Sequence, residues 1–132
     1  MALALIADGV IEAAQAQLAA AHGGRAGLRE RSMLRLLYAR ARMLSESAST
    51  DAAALAACYG YGLARDRLFY SQNTGVALLS VELALRLNGC CLTADDTACF
   101  LSLSLAGQGE PGAESFAGWI RGHIAEQARD AA

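Results

Sequence analysis

Apolar and polar positions repeat with a helical period in about six stretches of this chain, and no stretch shows the period of two that marks a half-buried strand. Asp8 is an N-cap candidate for a first helix through Val10, Ile11, Ala14 and Leu18, which Gly23 and Gly24 end. After a short loop at Gly27, a second helix lines up Met33, Leu34, Leu37, Tyr38, Ala41 and Leu44 on one face and turns Arg31, Arg35 and Arg42 outward. Residues 45–50 form a loop of cap-forming residues. Asp51 then caps a third helix with Leu55, Cys58, Tyr59, Gly62 and Leu63 on its inner face, ending near residues 65–67, where cations complement a helix C-terminus.

Residues 73–87 carry Val76, Ala77, Leu78, Leu79, Val81, Leu83, Ala84, Leu85 and Leu87, pointing in nearly every direction, and a helix apolar all round is a buried one. Asn88 and Gly89 suit its left-handed end. Within it, Glu82 and Arg86 make an i, i+4 pair that marks the face reaching water or a partner. Thr93 and Asp96 resemble a capping box that opens a fifth helix through Cys99, Phe100 and Leu103 to Gly107. A loop at 107–112 holds Pro111. The sixth helix places Phe116, Trp119, Ile120, His123 and Ile124 in one stripe. The expected fold is all-α, with about six helices around the buried helix 73–87.

Composition supports this reading. Ala alone supplies 30 of the 132 residues, whereas Val and Ile together supply seven, and Ala and Leu are the best apolar helix formers. The length fits one domain, 1–132, with no Pro-, Ser- or charge-rich tract to divide it. All eleven basic residues are Arg, which excludes Schiff-base and P-loop lysine chemistry. The net charge is -2 and the Arg residues are scattered, so no nucleic-acid partner is expected. Residues 1–7 are apolar but lack a basic region and meet Asp8 at once, predicting neither a signal peptide nor a membrane span and hence a cytoplasmic protein.

Cys58, Cys90, Cys91 and Cys99 contain no CxxC pair, and neither His stands at ligand spacing from them. They read as small apolar residues rather than metal ligands, so no metal site is expected. The vicinal Cys90 and Cys91 read as a buried structural pair rather than a redox disulfide. His22 reads as a cation at a helix C-terminus, and His123 as a half-buried packing residue. Tyr59, Tyr61 and Trp119 read as core and rim aromatics.

Residues 59–89, YGYGLARDRLFYSQNTGVALLSVELALRLNG, resemble the central part of the death-on-curing (Doc) branch of the Fic family. That family shows an aromatic- and Gly-bearing helix, a loop of the form H-x-F-x-[DN]-[GA]-N-K-R-T-A, and a buried helix ending in N-G. The likeness extends over about residues 5–125, taking in the Gly23 to Gly27 turn with its LRERSML sequence and the closing AGQGEPGAESFAGWIRGH. It implies a Fic/Doc-like helical fold. In the register set by Asn73, Ala77 and residues 87–89, Arg67 stands at the family's His, Phe69 at its Phe and Ser71 at its acidic or Asn position. Gln72 then takes the small position, Thr74 the Lys and Gly75 the Arg.

These departures remove the chemistry that the resemblance would otherwise imply. A proton-accepting His needs a pKa near neutrality, which the permanently charged Arg67 lacks. Asp66 lies one residue, about 100° of helix, away. Ser71 is a poor magnesium ligand compared with a carboxylate. Thr74 and Gly75 take away two cations worth several kcal/mol at a transferring phosphate. What is expected to remain is an anion-binding geometry: backbone N–H groups of Asn73, Thr74, Gly75 and Val76 in the first turn of the buried helix, with Arg67 nearby.

The resemblance implies two functions. In the first, the chain is a Doc-like pseudo-enzyme of the toxin–antitoxin type, which needs no cofactor and binds an antitoxin helix or another protein in a groove. In the second, it is an active toxin that uses ATP and magnesium to transfer a phosphoryl or nucleotidyl group to a translation factor. The substitutions at Arg67, Ser71, Thr74 and Gly75 favour the first.

Overall fold

The computed structural model describes residues 2–107 and 112–127. Six helices account for most of them: α1 (Val10–His22), α2 (Arg31–Glu46), α3 (Ala52–Asp66), α4 (Asn73–Leu87), α5 (Asp96–Gly107) and α6 (Ala113–Arg121). The fold is all-α apart from a two-stranded antiparallel ribbon of β1 (Cys90–Leu92) and β2 (Ile124–Glu126), with Cys91 opposite Ala125. The expected loop residues 108–111, with Pro111, lie outside the described residues.

One core joins the helices. Its centre is the packed pair α3 and α4, which contribute Leu55, Ala56, Tyr59, Leu63, Val76, Val81, Ala84 and Leu85, all at most 1% exposed. Gly60 lets the two helices approach: a Cβ there would meet Val81 Cγ2 at 2.5 Å and Phe116 Cε2 at 3.1 Å. Gly62 does the same for α2, where a Cβ would meet Leu37 Cδ1 at 2.8 Å. Small residues on α3 thus set how closely three elements pack around it.

Several expectations are corrected. The helix 73–87 is not buried all round, for Leu79 and Leu87 are more than two-fifths exposed and Leu83 is half-buried, while α3 is buried as thoroughly as α4. The α1 N-cap is Gly9 at φ 87°, with Asp8 one residue outside, because the chain turns sharply through Ala7 O to Val10 N–H. Asp51 does cap α3, its Oδ1 accepting from Ala54 N–H at 2.9 Å. The α5 cap is Asp95, whose Oδ1 accepts from Ala98 N–H at 2.8 Å, and not Thr93. Thr93 instead donates its N–H to His123 O in the ribbon.

The sixth helix stops at Arg121, short of the predicted Ile124. Gly122 has low helix propensity, and beyond it the backbone finds partners in the ribbon, where Gln127 N–H meets Gly89 O. His123 caps the exit with Nδ1 2.7 Å from Trp119 O and its ring stacked on Trp119. The vicinal pair Cys90 and Cys91 is half-buried in β1 rather than fully buried.

Candidate functional site

The chain between α1 and α2 lies beside the chain between α3 and α4, and these two loops gather the residues singled out above. Arg29 N–H and Glu30 N–H both donate to Leu68 O, and Tyr70 N–H donates to Gly27 O, so a single antiparallel bridge pairs Leu28 with Phe69. Arg67 ends α3 in the left-handed region at φ 48°, and Gln72 precedes α4 at φ 60°. Between these two reversals Leu68 and Phe69 drop into the core at 1% exposure each, which holds the loop down.

Each candidate residue has an assigned place. Arg67 is exposed, and its carbonyl receives Arg29 Nη1 at 3.4 Å. Asn73 is 8% exposed and clamps its own loop: Oδ1 accepts from Phe69 N–H at 2.9 Å and Nδ2 donates to Phe69 O at 3.0 Å. Both polar atoms of its amide are therefore committed to backbone. Ser71 turns its hydroxyl onto Arg25 O at 2.9 Å and packs against Gly24, where φ is 117° and a Cβ would lie 2.5 Å from Ser71 Oγ. Gln72 Nε2 reaches Gly23 O at 3.0 Å.

At the start of α4 the Val76 N–H is taken by Gln72 O, which leaves Asn73, Thr74 and Gly75 as the open N–H groups of that first turn. Gly75 faces α1: a Cβ there would stand 3.1 Å from Leu18 Cδ1 and 3.6 Å from Gln72 Oε1. The structure thus brings Phe69, Ser71, Asn73, Gly75 and Val76 into one packed turn and leaves Arg67 on its outer rim.

One residue of this cluster escaped the reading of the sequence. Gln15 is 1% exposed, donates Nε2 to Arg25 O at 3.1 Å and Ser71 O at 3.0 Å, and accepts Gly27 N–H on Oε1 at 3.1 Å. It ties both loops to α1. The signal was present in the i, i+4, i+8 stripe Ile11, Gln15 and Ala19, which aims a polar side chain at the core. Outside the cluster Arg25 lies over the Tyr70 ring at 3.8 Å.

Two clefts flank the fold. A cavity of about 370 Å³ lies beside the paired loops, lined by Glu12, Ala16, Ala26, Leu28, Arg31 and Phe69 among others. At its edge Tyr38 donates its hydroxyl to Glu12 at 2.7 Å, and burial together with that carboxylate pushes the phenol far above its ordinary range. A second cavity of about 360 Å³ lies on the other side, between α2, α3 and α6. Neither is lined by Asn73, Thr74, Gly75 or Val76. Among the described residues no helix is long and apolar enough to cross a membrane, and no group of three His, Cys, Asp or Glu side chains could hold a metal ion.

In chemical terms the paired loops hold backbone in place. The hydroxyl and amides at 71–73 are turned onto backbone carbonyls and N–H groups, and Arg67 stands exposed at the rim. No protein-family model matches this chain, and no curated protein sequence does.

Proposed function

We propose that this chain is a degenerate member of the Doc branch of the Fic family, a cytoplasmic pseudo-enzyme of the toxin–antitoxin type that acts by holding a helical segment of a partner protein. The observation that carries this reading is the Asn73 clamp. The motif residue is kept, yet its amide is spent on Phe69 backbone, so the loop serves as a structural turn under the substitutions at 67, 71, 74 and 75. Ser71 supports it as well, since an acidic side chain at that position would face the Arg25 carbonyl.

The partner helix would lie along the cleft beside the paired loops, seating apolar side chains against Ala16, Ala26, Leu28 and Phe69. Residual anion affinity at Asn73, Thr74 and Gly75 belongs to the same reading, as a weak contact for a carboxylate of that helix. Co-expression with the product of an adjacent short reading frame tests it. The expected result is a stoichiometric complex that Ala16→Arg disrupts while the fold persists. A neighbouring product that forms no complex, or a complex indifferent to Ala16→Arg, contradicts the reading.

A further inference from the structure

The cavity between α2, α3 and α6 lies away from the paired loops and is independent of the function proposed above. Its floor is one stripe of α3, Ala54, Ala57, Cys58, Tyr61 and Gly62, at the i, i+3, i+4, i+7, i+8 spacing of a single helix face. Leu44 and Arg40 of α2 form one wall, and Ala113, Glu114 and Ala117 of α6 form the other.

Contacts along the helices give the cavity a direction. Residues 47–51 join the end of α2 to the start of α3 and Gly62 packs against Leu37, while Gly60 packs against Phe116 and Arg121 pairs with Asp51, so both wall helices run antiparallel to α3. Leu44 and Ala117 therefore stand toward the Ala54 end, and Arg40 and Glu114 toward the Tyr61 end. One end is wholly apolar. At the other, Arg40 has no carboxylate within 4.0 Å among the described residues, and Arg65 adds a second cation through its 3.0 Å bond to the Tyr61 hydroxyl. Arg40 and Glu114 are the charged residues of the lining, and Arg40, with no ion pair of its own, offers its guanidinium to a carboxylate there. Arg40 also acts inside the cavity, where its charge opposes the burial that pushes the Cys58 thiol up.

Dimensions decide between kinds of occupant. From Ala54 to Gly62 a helix rises about 12 Å at 1.5 Å per residue. One unbranched chain of about that length fits the cavity, whose volume of about 360 Å³ is within the range of ligand sites.

We propose that this cavity binds a linear aliphatic carboxylate, its chain along Ala54, Ala57, Leu44 and Ala117 and its head at Arg40. Titration calorimetry on the whole protein, with decanoate and decylamine below their micellar concentrations and decanol below its solubility, tests it. Decanoate is expected to bind at least tenfold more tightly than decanol, and decylamine more weakly than either. Arg40→Ala, at an exposed position, is expected to bring decanoate down to the level of decanol. Ala54→Leu, at a half-buried position on the cavity floor, should fill the channel and abolish binding of both; Ala113→Leu, also half-buried, does the same job should the first variant fold poorly. No decanoate binding, equal affinity for decanoate and decanol, or decanoate binding that survives Arg40→Ala or the filled channel overturns the proposal.

Discussion

Asn73 shows how much of a loop one side chain can hold. Its amide answers both the N–H and the C=O of Phe69, a residue 1% exposed, so Asn73→Ala would strand two buried backbone groups. The expected cost is about 2–4 kcal/mol by urea unfolding. Asn73→Asp is also expected to destabilise, because a carboxylate oxygen would then oppose Phe69 O; an unchanged midpoint for either variant would contradict the clamp. Asp51 has two roles that mutation can separate. It caps α3 and meets Arg121 at 2.7 Å, and that guanidinium is the chief cause that holds its carboxyl below the usual value. A depressed carboxyl contributes stability in full above its unfolded pKa of about 3.9 and loses it as pH falls through the folded value. Since both partners are about half exposed, the pair is worth no more than about 1 kcal/mol, and the cap about 1 kcal/mol besides. Asp51→Ala should therefore cost about 1–2 kcal/mol at pH 7, and Asp51→Asn, which keeps a capping oxygen, under about 1 kcal/mol. The difference between parent and Asp51→Asn should close as pH falls through the depressed folded pKa; a difference that persists in stronger acid would assign it to something other than the carboxylate.

Among the elements, α3 and α4 govern the packing. Gly60→Ala would gain about 1 kcal/mol in helix propensity, yet its Cβ would press on Val81 and Phe116, so net destabilisation of about 1–3 kcal/mol is expected. A stabilised Gly60→Ala would mean that the helices stand further apart. Leu85→Ala, at a fully buried position, should cost about 2–5 kcal/mol and half-buried Leu83→Ala clearly less; equal costs would contradict the observed face of α4. The six helices were legible because each spans three turns or so, long enough for Leu34, Leu37 and Ala41, or Val81, Ala84 and Leu85, to declare a period. The ribbon was not: Cys90–Leu92 is too short for any period, and its partner lies more than thirty residues on. The Asp8 and Thr93 caps were misjudged for the same reason, since Asp95 was an equally good cap and only the turn geometry decides.

For the whole molecule, Gln15 ties α1 to both loops and makes the paired loops part of the scaffold. The sequence displayed which residue types occupy positions 67–75, and that Arg67, Thr74 and Gly75 supply neither the proton acceptor nor the two cations the resemblance would require was readable from them. Their tasks in the fold were not, because Ser71 on Arg25 O and Gln72 on Gly23 O depend on a loop 46 and 49 residues earlier. Under the function proposed above, this fold holds a partner and transfers nothing. That claim is tested most directly by incubating the purified protein with elongation factor Tu, magnesium and ATP labelled in either the α- or the γ-phosphate, and measuring label on the factor. The predicted result is no transfer above the protein-free blank. Label that appears on the factor and vanishes with Arg67→Ala, in a variant that still folds, would contradict it.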